Sequence, residues 1–349
     1  MIYLAGWGVL YFALMISFFS MYRGRIFGAI AILFFAAIAI LRGSTGTDTA
    51  NYESMLSVLS LDAVLGGFEP GFALVGLFLV EFLGSAEAGV RAISALFFIL
   101  VAFYYFRSDI NESFFLMVYL APAYFYTYSM NGLRIGIASI VLLLAVQEWR
   151  KEHIFKSSFA MLAAVSFHYT VLFSICYFFS ALIKSFKIKY VFLLSIIAAL
   201  IFYFIRDYIV FKLTAYSDFE PPSSLSGLSK VVVIFVLISG VFFSCLPSVF
   251  KIRVILLAVI FSSFAVVVTT FSYAGLRLLD LIAFIFPVTI LILHDNANLF
   301  FNWKMKLSFL LAGLISAAAV YRGFLIEAGN GVSPFLPYKL SGDFIRNLF

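Results

Sequence analysis

Twelve long apolar runs follow one another along this chain, and none alternates in polarity. They fall at about 2–20, 26–41, 69–84, 91–106, 113–129, 133–148, 157–183, 190–210, 230–249, 254–270, 276–293 and 306–321. A helix needs about 20 apolar residues to cross a bilayer. Membrane barrels instead show segments of about 10 residues that alternate in polarity, so a barrel is excluded. The chain is 64% hydrophobic and 11% charged, against about 45–50% and 25% in soluble domains. That excludes a soluble globular enzyme and a disordered chain. The expected fold is all-α: a polytopic integral membrane protein of about 11–13 transmembrane or re-entrant helices. Residues 1–349 read as one integral domain, with no linker or fixed-period repeat to divide them.

The net charge of +6 needs no nucleic-acid partner, because an excess of Lys and Arg in cytoplasmic loops explains it. Cys176 and Cys245 form no CxxC, and His153, His168 and His294 have no zinc-site spacing. Nothing asks for a metal or a cofactor. The first apolar run lacks a basic start and a small-residue cleavage site, so it reads as a retained helix.

The basic residues set a topological puzzle. Arg23 with Arg25, Arg150 with Lys151 and Lys156, Lys184 with Lys187 and Lys189, Lys251 with Arg253, and Lys304 with Lys306 mark five breaks. All five should face the cytoplasm. The run at 157–183 must then cross twice, and Ser166–Thr170 offers a turn, with two short helices meeting near His168. Non-helical backbone at membrane depth is tolerated only where it lines a cavity. A second irregularity is required between 42 and 107, where 69–84 reads as either short or re-entrant. The outer face then gathers loops 42–68 and 211–229, the 131–134 turn, His168, Arg277 and the tail 322–349.

Five constellations on that face could carry chemistry. Arg42–Tyr52 packs a cation, two glycines, four hydroxyl residues, a carboxylate, an amide and a phenol into eleven residues. Gly43 and Gly46 could let backbone N–H groups approach an anion, Arg42 could grip phosphate, and Asp48 could be a base or an N-cap for a helix starting at Thr49. Thr47 and Tyr52 are candidate sugar contacts. Asn131 and Arg134 share a helix face, with Arg134 at the membrane boundary. His168 sits alone among apolar and aromatic residues. Tyr273, Arg277 and Asp280 form a fourth group, in which Arg277 and Asp280 could simply pair. Glu69-Pro70-Gly71 opens an apolar run, where a carboxylate suits the helix dipole. Glu81, Arg91, and Arg322 with Tyr338 are weaker signals. Arginines, carboxylates and a histidine near a bilayer surface suit a ligand with a diphosphate head and a polyprenyl tail.

These residues also carry a resemblance. Arg42-Gly-Ser-Thr-Gly-Thr-Asp48-Thr-Ala-Asn-Tyr52 resembles the "R…GTD…NY" signature of the EpsG-like branch of O-antigen polymerases. Glu69-Pro-Gly-Phe72 is similar to its "E-x-G-F/Y", Asn131-Gly-Leu-Arg134 to its "N-x-x-R", and Phe167-His168 to its "F-H". Order and spacing agree from about residue 20 to 190. The C-terminal half matches mainly in hydropathy, with a weak Pro337-Tyr338 signal, and Ile135 stands where many relatives have Gln.

The resemblance implies a glycosyltransferase of the bacterial inner membrane that joins undecaprenyl-diphosphate-linked oligosaccharide repeat units into O-antigen or a related surface polysaccharide. It would act at the periplasmic face, without nucleotide sugar, beside a chain-length regulator and a flippase. The expected roles are diphosphate binding by Arg42, Arg134 and Arg277, and sugar contacts from Thr47, Tyr52, Glu69, Asn131 and Tyr273. The base is Asp48 or His168. Two other readings stay open at this stage: a transporter or flippase of lipid-linked oligosaccharides, and a membrane acyltransferase acting on surface sugars.

Overall fold

In a computed structural model the protein is described over residues 2–19, 24–60, 69–182, 226–326 and 333–341. Arg23, Lys184, Lys187, Lys189, the run at 190–210 and most of the 211–229 loop lie outside the described residues. The described secondary structure is helical, apart from one isolated bridge between Arg42 and Leu340. It is an all-α polytopic membrane protein. Large apolar side chains such as Phe12, Leu33, Phe78, Phe155, Phe159 and Leu162 are exposed along the helices. That suits lipid rather than water as the surrounding medium.

The chain forms two compact units, 1–172 with 300–349, and 173–299. The first holds α1 (Ile2–Phe19), α2 (Gly24–Ile40), the short α3 (Thr49–Ser57), α4 (Pro70–Leu83), α5 (Ala86–Arg107) and α6 (Ile110–Phe115). The chain runs from α6 without a break through π1 (Leu116–Leu120), α7 (Ala121–Tyr126) and π2 (Thr127–Asn131). After Gly132 come α8 (Leu133–Arg150), α9 (Ile154–Phe167) and, across the division between units, α10 (Val171–Leu182). Helix α14 (Trp303–Leu325) completes the first unit. The second unit contains α11 (Leu228–Phe242), α12 (Ser248–Thr269) and α13 (Ala274–Asn296), which pack on one another. Lys230 and Asp280 tie α11 to α13 by an ion pair at 2.7 Å.

Side-chain pairs sort the first unit into two ends. At one end Arg25 donates to the Ser108 carbonyl at 2.8 Å, Arg150 pairs with Asp109 and with Glu112, and Arg107 pairs with Glu148. The Phe301 amide reaches the Asn111 side chain there at 3.4 Å. This is the basic end. The local sequence builds it: Asp109 and Glu112 form a capping box that starts α6, while Arg107 and Arg150 fall in the last turns of α5 and α8, where cations suit the dipole.

At the opposite end lie Arg42, Glu69, Asn131, Arg134 and His168. Helix α4 has only 14 residues, about 21 Å, too short for a core of about 30 Å. It begins at Glu69 beside Arg134, and Arg91 in α5 already donates to the Arg42 carbonyl. Glu69 and Arg91 therefore lie at the same end, and the short α4 between them does not cross. The expected turn at His168 is present too, since α9 stops at Phe167 and α10 starts at Val171. With these two irregularities, Arg25, Arg107, Arg150 and Lys151 share one end.

With Cys176 and Cys245 changed to Ser, cysteines placed at Lys151 and Lys306 should label from one side of sealed vesicles. A cysteine at Thr47 should label only from the other. Thr47 labelling from the Lys151 side overturns this assignment of ends.

Candidate active site

The site grows from helix termini. Asp48, Glu69 and Gly132 precede the first residues of α3, α4 and α8. Each helix thus offers its positive dipole end. Close packing brings the segments together. A Cβ on Gly71 would lie 2.3 Å from Ser166 Oγ and 3.1 Å from its backbone, so α4 meets the end of α9 only because Gly71 has no side chain.

Glu69 is the centre. Its side chain is 1% exposed. Oε2 accepts from an Arg134 guanidinium nitrogen at 2.7 Å, and Oε1 lies 2.9 Å from His168 Nδ1. Burial alone would raise the Glu69 carboxyl, but the His168 hydrogen bond and the Arg134 charge outweigh it and hold the group near 2. It is a carboxylate at any physiological pH. An ionised carboxylate facing Nδ1 fixes the imidazole with its proton on that nitrogen and leaves Nε2 as the acceptor. His168 and Arg134 both keep partly open surfaces.

Around this triad, Tyr52 is buried, lies against Arg134 and packs on Phe72 with ring centroids 5.8 Å apart. Burial raises its phenol above the ordinary value against the opposing pull of Arg134, so it remains a neutral donor. Among the described residues, the buried atoms without a hydrogen-bond partner include Asn131 Oδ1 and Arg134 Nε here, and Arg42 Nε deeper in the same end. Such orphans are costly, and a ligand hydroxyl and a phosphate oxygen have the complementary chemistry. Thr47 is exposed and Asp48 half-buried at the loop above them. Asp48 occupies the N-cap position of α3 but makes no capping bond with its side chain.

Arg42 has a different environment. It is 1% exposed, and its guanidinium donates to the carbonyls of Ala39 (2.7 Å), Ser129 (2.8 Å) and Met130 (3.3 Å) and to Ser94 Oγ (3.1 Å). Those carbonyls end α2 and π2, where acceptors lack helical partners. Burial first, then the Arg91 charge, lower Arg42 to about 10, so it stays cationic. The two loop glycines differ from the sequence expectation. Their N–H groups do not face an anion site, because Gly43 donates to Lys339 at 2.7 Å and Gly46 to Pro334 at 2.8 Å. Gly46 has φ +110°, and a Cβ there would lie 2.8 Å from Asn131 Oδ1.

Four separate sequence motifs thus meet in one unit. Comparison with protein families matches residues 25–340 to the EpsG family. The chain belongs to the EpsG family. It is a family of polysaccharide polymerase-like membrane proteins. The match extends well past the motifs near residues 42–168 and ends within the C-terminal segment that bonds Gly43 and Gly46. No curated protein and no solved structure matches the chain.

The remaining candidates, Tyr273 and Arg277, belong to the second unit, at the start of α13. Sequence reasoning passed over Ser94 and Ser129, which hold Arg42, and ranked Arg91 low. A serine one turn from an arginine is too common to signal anything. The segment 333–341 was weakly marked because its bonds are mostly made by backbone atoms.

The Glu69 carboxylate gives a pH prediction. Its folded-state value lies below the ordinary glutamate value of 4.5, so its stabilisation is complete above about 4.5 and is lost as pH falls towards 2. That stabilisation is worth about 3 kcal/mol. Glu69→Gln should melt well below wild type at pH 7, and the gap should close as pH approaches 2. A gap independent of pH would show that the Glu69 charge is not what stabilises the site.

Proposed function

We propose that this EpsG-family protein polymerises lipid-diphosphate-linked oligosaccharides by glycosyl transfer. The observation that carries the reading is the buried Glu69, shared between a cation suited to diphosphate and a histidine suited to proton transfer. The donor is a growing chain on undecaprenyl diphosphate, and the acceptor is a sugar hydroxyl of a second lipid-linked unit. Arg134, with Nε uncommitted, binds the donor diphosphate and stabilises the charge it gains on leaving. His168 Nε2 takes the hydroxyl proton while Nδ1–H stays on Glu69. The acceptor oxygen forms the new bond to the anomeric carbon. The bond from that carbon to phosphate oxygen breaks, and its electron pair departs with the undecaprenyl diphosphate.

The oriented imidazole favours His168 over Asp48 as base. Asp48 and Thr47, at the exposed loop, contact acceptor sugar, as do Tyr52 and Asn131. Glu69 acts through its two partners rather than on sugar. Arg42, fully buried with both terminal nitrogens bonded to carbonyls, supports the site instead of gripping phosphate. Arg277 and Tyr273 retain the diphosphate and sugar roles read from the sequence. The end opposite the basic one is the periplasmic face by the positive-inside rule, and the protein works in the bacterial inner membrane. A chain-length regulator and a flippase are its pathway partners, and O-antigen or a related surface polysaccharide is the product.

The test uses purified protein, a synthetic polyprenyl-diphosphate oligosaccharide and no nucleotide sugar. Wild type should give a ladder of longer glycans and release polyprenyl diphosphate. His168→Asn should lower kcat by about 10²–10⁴-fold. Arg134→Lys keeps the charge but loses planar phosphate recognition and should lower both kcat and apparent affinity. No ladder from folded wild type given its native repeat unit overturns the polymerase reading. A full rate in His168→Asn overturns the assignment of the base.

A further inference from the structure

Residues 333–341 run back along the loop that follows Arg42. Leu340 bridges Arg42 in antiparallel fashion, and the Ser341 amide donates to the Leu41 carbonyl at 3.1 Å. Gly43 and Gly46 donate to Lys339 and Pro334. Thr45 is buried, and its hydroxyl accepts from the Lys339 amide at 3.2 Å and lies 3.4 Å from the Lys339 carbonyl. The Tyr338 hydroxyl donates to Ile38, in the last turn of α2, at 2.7 Å. An aromatic bed anchors the segment: Phe335 stacks on Phe324 at 4.2 Å, and Tyr338 meets Tyr3 at 6.0 Å. Ser333 Oγ donates to the Phe324 carbonyl at 2.5 Å.

These bonds join positions nearly 300 residues apart and satisfy a stretch with little helical hydrogen bonding of its own. The loop they hold carries Thr47 and Asp48, and it leads into α3 and Tyr52. The Thr45 carbonyl in turn accepts from Thr49 Oγ1 at 2.7 Å, at the start of α3. On the polymerase reading above, we propose that 333–341 is a strap that positions this loop for catalysis, with Thr45 and Tyr338 as its positioning residues. The strap sets where Thr47, Asp48 and Tyr52 stand. A misplacement of about 1 Å is enough to slow a reaction that depends on two substrates being aligned.

The test compares wild type, Thr45→Val, Thr45→Ser and Tyr338→Phe as full-length protein in nanodiscs. It reads steady-state polymerisation and hydrogen exchange of the 43–52 backbone. Thr45→Val keeps shape and removes the hydroxyl. The strap predicts a kcat about 10- to 100-fold lower with a raised KM for the acceptor, faster exchange at Gly43 and Gly46, and recovery of all three in Thr45→Ser. Tyr338→Phe should move both readouts in the same direction. A wild-type kcat in Thr45→Val overturns the proposal, whether or not exchange changes. So does a loss of kcat with unchanged exchange, which would assign the effect to Thr45 itself. If wild type makes no polymer, the polymerase reading fails and exchange alone decides the strap: faster exchange in Thr45→Val supports it, and unchanged exchange overturns it.

Discussion

A single buried guanidinium holds the ends of two helices in place. Arg42 has no carboxylate partner among the described ion pairs. It is compensated instead by carbonyl oxygens at the C-terminal ends of α2 and π2, with Ser94 from α5 alongside. Helix C-termini carry partial negative charge, and an arginine fork can serve several acceptors at once. The arrangement therefore meets two needs together. It neutralises a cation at a place where burial is costly, and it supplies donors to helix-end carbonyls. The π2 geometry matters here, because it brings the Ser129 and Met130 carbonyls to one guanidinium and ends at Gly132, from which α8 starts.

Everything at the site follows from where π2 ends. Once Asn131 and Gly132 are placed, Arg134 falls in the first turn of α8, and its partner must come from another segment. Glu69 comes from the start of the short α4, and His168 from the break after α9. One carboxylate thereby commits two functional groups to a common geometry. Removing it would leave the half-buried Arg134 without its carboxylate, and would free the imidazole to change tautomer. Fold and site stability are in this respect one property.

Much of this was legible in the sequence. The clash between five basic breaks and simple helix counting demanded two irregularities, and the chain has a helix too short to cross at α4 and a helix break at His168. That inference worked because the positive-inside rule and bilayer thickness act on many residues together. The convergence of the motif residues was legible only through their polarity in an apolar chain. Which arginine faces a ligand was not. Arg42 and Arg134 look alike in sequence, and their difference depends on whether carbonyls or a carboxylate and open surface lie nearby. The backbone bonds of 333–341 were equally hidden, since a main-chain donor has no residue type.

Irregular backbone explains why the site lies where it does. A bilayer tolerates non-helical segments only if protein satisfies their polar groups. In this chain the loop at 41–48, the π2–α8 junction, the start of α4 and the break at 168–170 share one end of the first unit, and they satisfy one another through Arg42, Glu69 and the 333–341 segment. The ligand we propose, a diphosphate with a lipid tail, has to meet polar groups without leaving the membrane surface. A cluster of helix interruptions provides that: N–H dipole ends, uncommitted side-chain atoms and an apolar approach from lipid. Helices that ran straight across would leave such groups nowhere to gather, so the short α4 and the interrupted 154–182 segment are requirements of the site as much as features of the fold.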